Sequence, residues 1–159
     1  MVDTPTGAIG FAPDEVATGE PTRSARLKWV VVVEEGTPPG RAANAAVCVA
    51  AATAQGVSGL LGPDAEDAGG SLHPGLPWAG CTILSATGAR LAALRSRAAA
   101  SDGVHVVDMP AAAQRTRVYD VYLQHVAATP GTELDYSAVS LVGPRNRIST
   151  MVHGLPLLT

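Results

Sequence analysis

Aromatic residues are scarce in this 159-residue chain: one Phe, two Trp and three Tyr make up 4% of it. A core cannot rest on so few rings, so it must be built from Ala, Val and Leu, with helices lying close against a sheet. Cysteine is scarcer still. Cys48 and Cys81 stand apart, one in a helical and one in a strand pattern, with no Cys-x-x-Cys or metal-type neighbour. They read as buried small hydrophobes of a reduced, cytoplasmic protein rather than as a disulfide or a catalytic thiol. No apolar run approaches the ~20 residues a membrane span needs, so no membrane partner is expected. The N-terminus lacks a basic start followed by an apolar stretch, so no secretory signal is read.

A basic surplus is also missing. The net charge is −3. Residues 1–24 carry Asp3, Asp14, Glu15 and Glu20 against Arg23 alone, and the rest of the chain balances its charges. Non-specific nucleic-acid binding needs a cationic surface that releases counterions, so no broad nucleic-acid face is expected. There is no Gly-x-Gly-x-x-Gly after the first apolar run, no Walker-type Gly-Lys-Ser/Thr and no Gly-x-Ser-x-Gly elbow. His and Cys show no metal-ligand spacing. Nucleotide hydrolysis, serine hydrolysis and zinc chemistry are unsupported, and neither a metal nor another cofactor is expected.

What is present points to one α/β domain. Residues 1–24, rich in Gly, Pro, Thr and acids, read as a flexible leader, and the domain spans 25–159. Val30-Val31-Val32-Val33 is an apolar run too continuous to alternate with solvent, and predicts a strand at 28–34 that is central and buried on both faces. Pro38-Pro39-Gly40 stops it, and an alanine-rich helix follows over 41–55. Further strands are expected at 57–61, 79–85, 104–107 and 136–142. Helices are expected at 88–100, capped by Ser85 or Thr87, from Pro110 to about Ala128, with Val118, Val121, Tyr122 and Val126 on its apolar side, and from Gly143-Pro144 to Gly154. Residues 64–77 form a long loop, either functional or a hairpin covering a sheet edge. Leu155 to Leu158 close the chain as an apolar tail. Alternating strands and helices imply a mixed, mostly parallel sheet with helices on both faces.

Several short motifs together resemble a known family. They are Val30 to Val33, Pro38-Pro39-Gly40, Ala42-Ala43-Asn44-Ala45, Leu60-Leu61-Gly62-Pro63-Asp64, His73-Pro74-Gly75, Val106-Val107-Asp108 and Gly154-Leu155-Pro156-Leu157-Leu158. Over about residues 26–159 they resemble the bacterial domain-of-unknown-function family numbered two thousand. That family is similar in fold to the archaeal and eukaryotic type of peptidyl-tRNA hydrolase, and the resemblance implies that type-two fold here. Lys28, Ala42, Ala43, Asn44, Gly143, Pro144 and Leu157-Leu158 fit the hydrolase outline. The hydrolase's turn lysine falls on Gly40 and its histidine on Val47, and its Asp-Ala-Gly-x-Thr-Gln segment has no clear counterpart. The resemblance implies the fold and not the tRNA reaction.

The chemistry left over centres on helix starts. A cation in a helix's first turn opposes the dipole. Arg41 opens the first helix, and Arg145 and Arg147 open the last. If their strands are parallel, both helix starts share one sheet edge and form an anion site from backbone N–H and guanidinium groups. Glu34 and Glu35 offer the plainer reading, pairing with these arginines. Asn44, the only polar side chain between Arg41 and Thr53, is expected to face inward, bonded to a loop carbonyl or pointing into a cleft. His73, in the long loop, is the best-placed acid/base by residue type. Asp108 reads as a cap for the third helix. Tyr119, Tyr122 and His125 read as packing, and His153 suits a helix C-terminus.

Two functions remain open. One is a hydrolase or an acyl, aminoacyl or peptidyl transferase with an altered cleft, in which Asn44 and His73 do chemistry and Gly40, Arg41, Gly143 and Arg145 bind substrate. The other is a non-catalytic ligand-binding or homo-oligomeric assembly module. Either way, a pocket is expected at the carboxyl end of the first strand, bounded by residues 35–41, Asn44 and the turn from Gly143 to Arg145.

Overall fold

The computed structural model describes residues 8–159. Its centre is β1, Leu27–Glu34, paired in parallel with β4, Thr82–Ala86, and antiparallel with β6, Tyr136–Pro144. β5, His105–Pro110, adds to the far side of β6, giving the order β4-β1-β6-β5. Successive side chains of a strand face opposite ways, so the valines of β1 divide. Val31 and Val33 pack with α1, Pro39–Gly56, through Ala42, Ala45 and Val49. Val30 and Val32 pack with α2, Gly88–Ala99, through Leu91, Leu94 and Ala98, and with Ile148 of α4, Arg145–Met151. The two-sided burial of β1 and the helices on both faces follow the sequence reading.

The expected predominance of parallel pairing does not hold, because two of the three pairings in this four-stranded sheet are antiparallel. The cause lies in the connection from β5 to β6. β1, β4 and β5 all run one way, joined by α1 and α2, which cross the sheet. The chain from Ala111 to Asp135 does not cross. It stays at the end where β5 finishes, forms a 3-10 turn over Ala111–Gln114 and then α3, Tyr119–Ala128, and re-enters at Tyr136 opposite Pro110. α3 therefore starts later than expected and buries no residue.

α1 is joined to the sheet by a buried polar link as well as by small residues. Trp29 Nε1 donates to Ser140 Oγ at 2.8 Å, and Ser140 Oγ meets Thr53 Oγ1 at 2.7 Å. Thr53 also bonds to the Val49 carbonyl, so the chain of donors closes inside the helix. Buried polar groups are tolerable only when satisfied in this way.

Residues 8–24 correct the expectation of a detached leader. Phe11 is only 4% exposed and meets the Trp78 ring edge-on at 4.8 Å, while its N–H donates to the Ser58 carbonyl at 2.8 Å. One aromatic ring in a sequence poor in them buries enough apolar area to order the segment. Arg26 secures the segment with an ion pair to Glu15 at 2.6 Å. Residues 1–7 of the expected leader lie outside the described residues. The expected strand at 57–61 is replaced by single bridges at Ser58 and Leu61. The 64–77 loop carries a small exposed hairpin of β2, Ala65–Glu66, and β3, Leu72–His73, whose strands pair only with each other. It is the C-terminal tail that lies along the edge of β4, with Leu158 N–H donating to Ile83 O and Ser85 N–H to Pro156 O. No helix is long and apolar enough to cross a membrane among the described residues.

Candidate functional site

A cavity of about 670 Å³ opens at the carboxyl end of β1. Its floor is the turn from Glu34 into α1. Gly36 takes φ +74°, a conformation that favours glycine, and Thr37 Oγ1 donates to the Glu34 carbonyl at 2.7 Å. Pro39 at the first helical position has no N–H to satisfy, and Ala42 N–H already bonds to the Pro38 carbonyl. No side chain caps α1 and no acid lies in its first turn. The amides of Gly40 and Arg41 therefore have no intrahelical acceptor.

α2 is treated differently. Thr87 Oγ1 accepts from Arg90 N–H at 3.2 Å. A Cβ on Gly88 would lie 3.0 Å from Glu34 Oε1, so the Glu34 carboxylate rests at the start of α2, where a negative charge suits the dipole. Glu34 and Glu35 both line the cavity, and the Glu34 carboxylate lies beside Gly88 at the start of α2.

The opposite wall comes from the segment that does not cross the sheet: Ala111, Gln114, Arg115 and Arg117, with Ser137 from β6. Gln114 Nε2 donates to the Arg41 carbonyl at 2.9 Å and to Asn44 Oδ1 at 3.1 Å, tying this wall to α1. Three arginines, Arg41, Arg115 and Arg117, thus line one cavity, and among the described residues none of them has a carboxylate within salt-bridge distance. The pairing of Glu34 and Glu35 with Arg41 is not formed.

The expected site residues separate into two groups. Gly40, Arg41 and Asn44 lie at the cavity's end of the sheet. Gly143 and Arg145 do not, because β6 runs against β1: Gly143 pairs with Lys28 and Pro144 with Leu27, at the amino end of β1. There Arg145 donates to the carbonyls of Ala25 at 2.9 Å and Thr22 at 3.1 Å, holding the incoming chain. Gly143 is a packing residue, since a Cβ would meet Ile148 Cδ1 at 3.1 Å. Arg147 donates to the Asp102 carbonyl. The shared anion site of two helix starts is thereby ruled out.

Asn44 is exposed and already engaged by Gln114, instead of facing inward. His73 sits on β3, exposed, 3.4 Å from Asp67. α1 returns the chain to the amino end of β1 and β4 departs from there, so the hairpin carrying His73 lies away from the cavity. The two side chains expected to do chemistry are not brought together. Asp108 does not cap a helix but pairs with Arg95 at 2.9 Å. Cys48 and Cys81 are exposed rather than buried, though desolvation pushes the Cys81 thiol up to about 11. His105 packs against Gly56, its Nε2 buried with no partner among the described residues, and burial lowers its pKa. Among the described residues no group of three His, Cys, Asp or Glu side chains is placed to hold a metal ion.

Arg115 and Arg117 were missed because they fall in a stretch read as helix, where basic residues ordinarily point to solvent. The cue available was Thr116 between two arginines just before the apolar Val118, a break in helical periodicity. Beside the cavity, a hollow of about 330 Å³ shares Arg117 with it and is otherwise walled mainly by apolar side chains of α3, β5 and α1.

The model of a family described as Protein of unknown function (DUF2000) matches residues 27–159. No curated protein matches the chain. Among solved structures, a protein of unknown function, Atu0240 from Agrobacterium tumefaciens strain C58, aligns with a TM-score of 0.77. The alignment covers 84% of this chain and 98% of that one, at 12% identity. Such low identity speaks to the fold alone.

Proposed function

The chain belongs to the DUF2000 family of proteins of unknown function, and we propose that it is a binding protein for a small molecule bearing a compact oxyanion, a phosphate or a carboxylate. The observation that carries this reading is the convergence of Arg41, Arg115 and Arg117 on one cavity with no carboxylate paired to them among the described residues. Guanidinium forks match the geometry of both oxyanions. The uncapped start of α1 supplies backbone N–H groups of the same preference. An anion bound there removes the mutual repulsion of the arginines and offsets the unfavourable placement of Arg41 in a first helical turn.

A hydrolase or transferase reading lacks comparable support, because Asn44 is bonded to Gln114 and His73 belongs to a separate hairpin. Calorimetric titration with inorganic phosphate and with succinate tests the proposal. One of the two should bind, and Arg115→Ala should weaken it by about 1.5–3 kcal/mol, the usual worth of a hydrogen bond to a charged group. If neither anion binds at low ionic strength, or if Arg115→Ala leaves the affinity unchanged, the reading fails.

A further inference from the structure

The hollow next to the arginine cavity differs from it in chemistry. Met109, Ala113, Val118, Tyr119 and Tyr122 form most of its wall, and Cys48 of α1 closes it. Gln114, which lines the arginine cavity, donates to Asn44, which lines the hollow, at 3.1 Å, and Arg117 lines both. The start of α3 leaves apolar side chains uncovered, with Val118 58% and Tyr119 73% exposed and the Tyr119 ring 5.5 Å from that of Tyr122. A volume of about 330 Å³ falls within the range of small-molecule sites, ~300–1,000 Å³.

We propose that this hollow receives the apolar tail of the same ligand, so that the ligand is an amphiphile: an oxyanion head among Arg41, Arg115 and Arg117, and an alkyl or aryl tail against Val118, Tyr119 and Tyr122. The proposal rests on the oxyanion reading for its head group and adds the tail. Three features favour a tail over a second protein surface. The space is concave, it borders the polar cavity at Arg117, and the amide oxygen of Asn44 on its rim already accepts a hydrogen bond from Gln114.

The test compares inorganic phosphate with butyl and octyl phosphate, and succinate with octanoate, all below their critical micelle concentrations. Full burial of a methylene is worth about fourfold in affinity; a tail with one side open should gain about twofold per methylene, roughly 16-fold from butyl to octyl. The double variant Val118→Ser, Tyr119→Ser should abolish that gain and leave the affinity for inorganic phosphate or succinate unchanged. A second readout does not depend on that variant folding. In a Cys81→Ser chain, Cys48 is the one thiol left, and octyl phosphate or octanoate should slow its alkylation while the short anion does not.

If the short anions bind but chain length brings no gain and Cys48 stays unprotected, the tail site is refuted and the head-group reading stands. If neither short nor long anions bind, the head-group reading falls and this proposal falls with it. If Cys48 is protected by raising protein concentration alone, a second copy of the chain covers the hollow, and the tail site is again refuted.

Discussion

Replacing Phe11 with Ala tests whether residues before Ala25 belong to the folded unit. Phe11 is 4% exposed and edge-on to Trp78, and the approach is close: a Cβ on Gly59 would stand 2.5 Å from the Phe11 carbonyl. Truncating a Phe inside a closed core costs about 3–5 kcal/mol. This site lies at the margin of the domain, where the cavity can partly collapse, so the expected cost is about 2–3 kcal/mol. For a domain of this size, that corresponds to a melting temperature lower by about 4–12 °C. Urea denaturation of the variant should show a lower midpoint with an unchanged slope, because the surface exposed on unfolding barely alters. Leu76→Ala is the control: Leu76 is 77% exposed, and its truncation should stay within about 0.5 kcal/mol. If Phe11→Ala is indistinguishable from Leu76→Ala, the N-terminal segment is not part of the core.

Ser140→Val should destabilise by about 1–3 kcal/mol in the same assay, since it leaves the buried Trp29 Nε1 donor unpaired despite the added apolar volume. Wild-type stability would contradict the buried link. His105 should make stability fall with pH. Burial lowers its pKa in the folded chain, so the unfolded chain takes up the proton first. Its share of stability is complete above the unfolded value of about 6.5 and is lost as pH drops through that value towards the lower folded one. Urea midpoints measured from pH 7.5 to 5.5 should slope less in His105→Leu than in the wild type; equal slopes would show that His105 is freely solvated.

Much of the fold was legible because it depends on local pattern. Val30 to Val33 can be satisfied only by cover on both sides, and both sides are covered. Of the two residues that could cap α2, Ser85 and Thr87, it is Thr87 that does so. The direction of β6 was not legible. A connection as long as Ala111 to Asp135 has the length of a crossover, and nothing in its periodicity says that it stays at one end of the sheet. The same gap explains the site. Val118, Val121, Tyr122 and Val126 are spaced as a helix face, but spacing cannot say what covers that face, and none of these residues is buried. Arg41 stood out through its position in a first helical turn and does line the cavity. Arg145 stood out for the same reason, but reversal of one strand puts it at the far end, bonded to Ala25 and Thr22. Once β6 is reversed, the place assigned to Arg145 is taken by Arg115 and Arg117, whose one cue, the break in helical periodicity at Thr116, is weaker than a place in a first helical turn.

The proposed oxyanion site lies at the carboxyl end of β1, away from the turn at Gly143. An amide-resolved NMR titration with inorganic phosphate and with succinate tests it most directly. Addition of the anion that binds should give saturable shifts in the amides of Gly36, Gly40 and Arg41 and of Gln114 to Arg117, with those of Gly143 to Arg147 unmoved. Saturable shifts centred on Gly143 to Arg147, or none at residues 36–41, would contradict it.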